Sequence, residues 1–294
     1  MPTFLGLTAI SSWGVLALLG SLTNEIPAFQ LLFICFSISA ALMFVKRGVQ
    51  HTALFERPVM TPSQWLIGIV GLFGFHFCYF MALRFAPAIQ VSLIVYLWPL
   101  ILTLFVAEKG RKKQALYGGL IGFTGVSLVI SQHQGVSAFS DISPNYMTGY
   151  LLAASCALIW SSYSWYLSKN TGSADNIGWL SLVVALLSLI AHFFFETAYW
   201  QLSATEIIGA LLLGFGPVGG AFYLWDIGMK QGNRSLLAIS SFAAPLITAF
   251  SLVLAGISEW SFILLAALLL VVTGGFIASP VTLRAKAVIK PDQI

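Results

Sequence analysis

The sequence predicts an all-α integral membrane protein: ten transmembrane helices, arranged as two inverted five-helix repeats around a central cavity. Composition, the spacing of apolar segments and the distribution of basic residues predict this fold class. Of the 294 residues, 59% are hydrophobic and 8% are charged, and the mean hydropathy is +0.92. A soluble domain carries about 25% charged residues. This composition therefore excludes a soluble enzyme and a nucleic-acid-binding module.

Apolar segments long enough to cross a bilayer fill most of the chain. A membrane-spanning helix needs about 20 apolar residues. Charged residues and clusters of Pro, Gly and Asn separate such segments. The first segment starts without the basic stretch of a secretory signal, so we interpret it as a retained span. The predicted spans are residues 3–22, 27–46, 63–83, 88–106, 114–131, 146–168, 176–195, 205–226, 234–255 and 261–281.

Basic residues fall almost entirely on one side of this arrangement. Of the 14 Lys and Arg residues, all but Arg84 lie on one set of alternate connections or in the C-terminal tail. Positive charge in short loops marks the cytoplasmic side of a membrane. One missed or invented span would exchange the sides of every later loop. The split therefore favours ten spans with both termini in the cytoplasm.

Motifs shared by the two halves indicate an internal duplication. Pro99 in span four corresponds to Pro245 in span nine at an offset of 146 residues, and Trp13 corresponds to Trp160 at an offset of 147. Because each half has five spans, the second copy enters the membrane upside down. Chance similarity between apolar helices is the alternative. The predicted units are a first repeat, a second repeat and a cytoplasmic tail, at residues 1–135, 145–283 and 284–294.

A resemblance to a known family extends over essentially the whole chain. It rests on Trp13-Gly14 in span one, the two mid-span prolines, and Glu259 followed fifteen residues later by Gly274-Gly275. With these features the chain resembles the drug/metabolite transporter superfamily, whose members carry two EamA-type repeats of five helices. The first repeat departs from the pattern, because an acidic residue follows its proline after nine residues and not after fourteen.

Within that superfamily the chain looks most like the bacterial aromatic amino-acid exporters of the YddG type. The resemblance implies export of phenylalanine, tyrosine, tryptophan and other neutral amino acids across a bacterial inner membrane. A broad-specificity drug or metabolite efflux transporter of the same fold is the alternative. The match rests on His76, Tyr79, Tyr96-Leu97-Trp98-Pro99, Trp160, Ser240-Ser241 and Pro245.

The positions of aromatic residues within the spans separate two groups. An indole N–H or phenol O–H that faced lipid would lack a partner, at a cost of about 1–3 kcal/mol. We therefore expect mid-span rings to face a cavity, and these are Trp13, Tyr79, Tyr96, Trp98 and Trp160. Rings near span ends are typical of an interfacial belt, and these are Trp65, Trp179, Tyr199, Trp200, Trp225 and Trp260.

His76 lies near the middle of span three and shares a helix face with Tyr79. Ionisable groups inside a membrane are functional candidates, so we predict that His76 lines the substrate pocket. A neutral imidazole that only connects helices is the alternative. No Asp or Glu lies near the centre of a predicted span, which argues against tight selection of cations. Proton-coupled and uncoupled export both stay open.

Pro99 and Pro245 each remove a helical hydrogen bond and free a carbonyl one turn earlier. Paired breaks in two repeats point to a transporter's binding site and to a hinge, with a packing kink as the alternative. Ser240, Ser241 and the freed carbonyls are candidate contacts for an amino acid's ammonium and carboxylate. Gly216-Pro217 is a candidate flexible point in span eight.

Reactive groups outside this set give no sign of catalysis. No intramembrane carboxylate, HExxH motif or Cys/His cluster accompanies the serines and histidines. We therefore expect no enzymatic activity, no metal and no cofactor. We expect lipid contacts, no nucleic-acid partner, and a monomer or weak homo-oligomer. The cysteines are predicted to be free, buried thiols, namely Cys35, Cys78 and Cys156.

Overall fold

The structure is a computed structural model that describes residues 1–131 and 144–278, and it is all-helical over them. The predicted tail, the repeat ends and the end of span ten lie outside the described residues. In chain order the α-helices are α1 (Pro2–Gly14), α2 (Leu16–Gly20), α3 (Ala28–Val49), α4 (Pro62–Ile69), α5 (Phe75–Phe85), α6 (Ala88–Val95), α7 (Trp98–Val106), α8 (Lys112–Ser131), α9 (Met147–Leu167), α10 (Asp175–Phe195), α11 (Ala204–Phe215), α12 (Gly220–Gln231), α13 (Arg234–Ser240), α14 (Ala244–Leu254) and α15 (Phe262–Ala278).

Many of these helices join into longer segments that suit a membrane. By length and composition, seven described segments can cross one, and an eighth crossing results if α1 and Leu16–Thr23 are one span bent by 44°. The prediction of an all-helical, multi-pass membrane protein is confirmed for the described residues. The seven segments are Ala28–Val49, Pro62–Phe85, Ala88–Val106, Lys112–Ser131, Asp175–Phe195, Ala204–Gln231 and Arg234–Leu254.

Two helices outside that set coincide with the sixth and tenth predicted spans. The helix α9 has 21 residues, and Ser, Tyr and Trp crowd its second half. The helix α15 has 17 residues over its described length and is almost entirely apolar. Helical structure therefore lies in every predicted segment.

The contacts between helices follow a regular pattern. The helix α8 packs against α15, and α3 packs against α10. The helix α1 packs against α12 and α14, and α9 packs in the same way against α5 and α7. Exchanging the two halves of the chain converts one set of contacts into the other. The helices α1 and α9 thus hold equivalent places at the centre of the bundle.

Glycine allows α8 and α15 to meet at their backbones. A Cβ atom on Gly118 would lie 2.5 Å from the carbonyl oxygen of Gly274, and a Cβ on Gly274 would lie 2.4 Å from that of Gly118. Both distances are too short for a nonbonded contact, so only glycine fits at these two positions. Small residues allow membrane helices to approach this closely. This close approach holds α8 and α15 together.

A buried carboxylate connects the end of α10 to the start of α3. Glu196 accepts the backbone N–H of Phe29 at 3.0 and 3.1 Å and that of Gln30 at 3.2 Å, and His192 Nδ1 lies 2.9 Å from it. An anion at a helix N-terminus is stabilised by free N–H groups and the helix dipole. The Gln30 side chain also exchanges two hydrogen bonds with the backbone of Tyr199.

We predict that Gly118→Ala destabilises the protein, because the new methyl group forces α8 and α15 apart. Overpacking of this kind costs about 1–3 kcal/mol. The measurement is the temperature at which detergent-solubilised protein loses its monodisperse size-exclusion peak. Gly48→Ala is the matched control, since its Cβ would meet its nearest neighbour, Leu54, at 3.9 Å. Equal melting temperatures for the two variants would contradict the proposed backbone contact.

Candidate functional site

A cavity of about 360 Å³ lies at the centre of the bundle. Its volume falls within the range of about 300–1,000 Å³ that is typical of small-molecule sites. None of the described residues that line it is Asp, Glu, Lys or Arg. Nine of them carry aromatic rings, namely Trp13, Phe75, His76, Tyr79, Phe80, Tyr96, Trp98, Trp160 and Phe222.

Six of the eight residues that the sequence nominates for substrate contact line this cavity: Trp13, His76, Tyr79, Tyr96, Trp98 and Trp160. Ser240 and Ser241 are not among its lining residues. The Ser241 hydroxyl, just past the end of α13, is buried and donates a hydrogen bond to the Leu237 carbonyl of that helix at 2.8 Å. Ala244, one turn later, lines the cavity from this segment.

Tryptophan rings from three helices meet at one end of the cavity. The ring centroids of Trp13 and Trp160 lie 5.6 Å apart with an interplanar angle of 80°. Trp98 lies 6.4 Å from Trp13 and 6.3 Å from Trp160, at angles of 89° and 85°. Edge-to-face pairs of this kind are favourable beyond their buried area. These three rings and Trp225 form what we call the tryptophan layer.

The structure corrects the predicted position of Trp225, which the sequence analysis placed in the interfacial belt. Its ring is fully buried and lies 5.1 Å from Trp13 and 6.2 Å from Trp98. Its indole N–H donates to the Ser164 hydroxyl at 3.0 Å. The prediction was wrong because it ended span eight at residue 226, whereas α12 continues to Gln231. Trp225 therefore lies well inside its span.

His76 presents one ring nitrogen to its own helix. Its Nδ1 lies 2.7 Å from the Leu72 carbonyl oxygen. A carbonyl can only accept, so Nδ1 carries the hydrogen, and in the neutral ring Nε2 is an acceptor. The ring lies 5.2 Å from Phe75, 5.6 Å from Phe36 and 6.0 Å from Phe222. The Nδ1 hydrogen bond stays within one helix and leaves Nε2 as the group that can meet a ligand.

Comparisons with known proteins agree with this geometry. The EamA-like transporter family matches residues 1–131. The aromatic amino acid exporter YddG of Ancylobacter novellus is 39% identical over 94% of this chain and 96% of its own. This chain belongs to the EamA-like transporter family. The YddG of Salmonella typhimurium is 27% identical over 84% of this chain and 85% of its own. A solved crystal structure with 37% identity matches with a TM-score of 0.85, over 95% of this chain and 97% of that one.

In this EamA-like transporter, the helix in span eight is interrupted beside the cavity. The helix α11 ends at Phe215 and α12 begins at Gly220. A Cβ on Gly219 would lie 1.9 Å from the Gly214 carbonyl oxygen, so the chain folds back too tightly for any other residue. The Pro217 carbonyl at this break accepts the indole N–H of Trp13 at 3.0 Å. Trp13 lies just before the bend in span one, so one hydrogen bond joins two irregular points.

The helices also break at the two mid-span prolines. The helix α6 ends at Val95, and α7 begins at Trp98 with Pro99 in its first turn. The helix α13 ends at Ser240, and α14 begins at Ala244 with Pro245 in its first turn. Proline suits the first turn of a helix because it has no N–H to leave unpaired. The prolines are not among the cavity residues, and their role as hinges stays a prediction.

Sequence reasoning missed three cavity rings, Phe75, Phe80 and Phe222. Phe75 and Phe80 flank His76 and Tyr79 on one face of α5, and that spacing is visible in the sequence. Phe222 gave no such signal, because the break before α12 sets the direction in which its ring points. It stacks on Phe36 at 5.5 Å and 12°.

We predict that Trp13→Phe lowers stability although a ring is retained. The change removes the indole N–H, so the Pro217 carbonyl at the helix break loses its donor. A buried acceptor without a partner costs about 1–3 kcal/mol. Thermal unfolding in detergent measures the effect, with the exposed Trp260→Phe as the control. Identical unfolding of Trp13→Phe and the wild type would refute a structural role for this hydrogen bond.

Proposed function

We propose that this protein exports aromatic amino acids by alternating access. The observation that carries the proposal is the central cavity, whose described lining includes nine aromatic rings and no Asp, Glu, Lys or Arg. Offset or edge-to-face stacking adds about 0.5–1.5 kcal/mol beyond area burial, so such a cavity favours phenylalanine, tyrosine and tryptophan over smaller amino acids. The names of the YddG relatives support the same substrate class.

We infer ten membrane crossings in two inverted repeats, with both termini in the cytoplasm of a bacterium and the chain in its inner membrane. The seven long segments, the bent pair, α9 and α15 supply the ten crossings. The exchangeable contacts of α1 and α9 support the repeat. So does the contact between Trp13 and Trp160, which hold equivalent positions in the two halves and meet at 5.6 Å.

We infer that this conformation is open toward the outside. The cavity lining includes Gly20 and Ala28, which flank the connection between spans one and two. With the N-terminus in the cytoplasm, that connection lies on the outer side. The tryptophan layer closes the other end. Export also requires a conformation that is closed toward the outside and open toward the cytoplasm. The proposed bending points for this change are Pro99, Pro245 and Gly216-Pro217.

Three polar side chains are placed to hold the amino-acid backbone in the cavity. Nε2 of His76 is a hydrogen-bond acceptor in the neutral ring and can receive the ammonium. The hydroxyls of Tyr79 and Tyr96 can donate to the carboxylate. These are neutral contacts, so binding is weak and release is easy. Ser240 and Ser241 would need a different conformation to take part.

Efflux of drugs by the same fold is a second candidate, and the apolar lining of the cavity favours it. A cationic drug usually finds a carboxylate in its site. The described residues that line the cavity provide none. If a quaternary ammonium compound such as benzyltrimethylammonium inhibits tryptophan efflux more strongly than phenylalanine does, drug efflux is the better description of the function.

We predict that proteoliposomes containing the protein release preloaded phenylalanine and tryptophan faster than empty liposomes do. Trp160→Ala and His76→Ala should slow this efflux at least about tenfold, since each removes a direct contact worth roughly 1.4 kcal/mol or more. Trp260→Ala, a change at an exposed ring, should leave it unchanged. No efflux above the empty control, or full efflux in both cavity variants, would exclude the proposal.

A further inference from the structure

A second, smaller cavity of about 30 Å³ lies beyond the tryptophan layer, beside the connection between α9 and α10. The ring of Tyr163 in its wall lies 5.6 Å from Trp160, so one aromatic layer separates the two cavities. We call this cavity the inner site. Its wall carries charged and amide groups, which are absent from the described residues that line the central cavity; they belong to Gln64, Asn170, Asn176, Asp226 and Lys230.

Two opposite charges are buried in the inner site. Lys230 Nζ lies 2.8 Å from Asp226 Oδ2, and the two side chains are 5% and 2% exposed. The ammonium also donates a hydrogen bond to the Gly172 carbonyl at 2.8 Å. Burying an ion pair costs several kcal/mol, and apolar replacements are often neutral or stabilising. A contribution to the stability of the fold therefore does not explain why this ion pair is present.

One buried hydroxyl of the inner site lacks a partner. Tyr163 is 3% exposed, and its hydroxyl has no hydrogen-bond partner among the described residues. Asp226 Oδ2 has the Lys230 ammonium beside it at 2.8 Å, so its charge is paired within the protein. A buried hydroxyl without a partner is costly. A polar ligand that entered the site would satisfy it.

We propose that the inner site is the first binding site for the zwitterionic backbone of an amino acid arriving from the cytoplasm. Asp226 receives the α-ammonium and Lys230 the α-carboxylate, with Tyr163 as an additional hydrogen-bond partner. The inference rests on the proposed function and its orientation. In the present conformation the Lys230 ammonium holds the place on Asp226 that the substrate ammonium takes. A cavity of this size admits about one water molecule, so the site opens only when the cytoplasmic end does.

A charged site of this kind would help the substrate to lose its water. An amino acid must lose water from both charged groups before it passes an aromatic layer, and that loss is expensive without compensation. The described residues that line the central cavity offer neutral polar groups only. Charge-assisted hydrogen bonds are roughly twice as strong as neutral ones. An Asp–Lys pair next to the layer therefore compensates the charges at the step where water is lost.

The test uses the double variant Asp226→Asn/Lys230→Gln, which removes both charges and leaves neither one buried alone. Everted membrane vesicles expose the cytoplasmic face, so uptake of phenylalanine measures binding from that side. We expect the half-saturating concentration to rise roughly tenfold or more. Calorimetric affinity of the purified protein for tryptophan, which reports on the central cavity, should stay unchanged. Glu108→Gln/Arg111→Gln, at a more exposed ion pair in the connection between α7 and α8, should behave like the wild type.

Competition by two analogues separates binding from a structural effect. Phenethylamine lacks the carboxylate and 3-phenylpropionate lacks the ammonium, so both should inhibit wild-type uptake less than phenylalanine does. In everted vesicles that carry the double variant, the difference in inhibition between phenylalanine and the two analogues should be smaller. An unchanged half-saturating concentration and an unchanged difference would overturn the inner site while leaving the exporter intact. No uptake by the wild type would instead overturn the proposed function itself.

Discussion

The requirement that every buried polar group find a partner away from water governs the centre of this molecule. Hydrocarbon offers no hydrogen bonds, so helix breaks are tolerated only where protein or cavity water satisfies them. The break in span eight meets this requirement through Trp13, whose indole N–H reaches the Pro217 carbonyl at 3.0 Å. Trp225 meets it through Ser164. The cavity lies where these irregular segments converge.

Glycines and aromatic rings both supply contacts between the helices. Gly118 and Gly274 bring the backbones of α8 and α15 together, and Gly6 of α1 approaches Gly228 of α12 in the same way. Around the cavity, α1 and α9 also contact each other and their neighbours through tryptophan and phenylalanine rings. Rings that line a cavity can exchange such contacts for contacts with an aromatic substrate.

Hydropathy was sufficient to place the long helical segments of the described residues, because each apolar run is long enough to cross a bilayer and charged residues separate the runs. It could not give the direction of individual side chains. Trp225 was misplaced because α12 runs five residues past the predicted end of its span. Ser241 was expected at the cavity, yet its hydroxyl bonds to the Leu237 carbonyl of α13. Phe222 was missed because its direction depends on the break before α12.

The central claim is that one chamber, open to the outside and closed toward the cytoplasm, binds aromatic amino acids. Ala17→Cys in a background without native cysteines places a thiol on its wall. We expect a membrane-impermeant thiol reagent to label this cysteine from the outer face of right-side-out vesicles and tryptophan to slow the labelling. Gln201→Cys, at an exposed position in the connection between α10 and α11 and not among the cavity residues, should be labelled equally well with and without tryptophan. Labelling that tryptophan does not affect, or that occurs only from the cytoplasmic face, would contradict the claim.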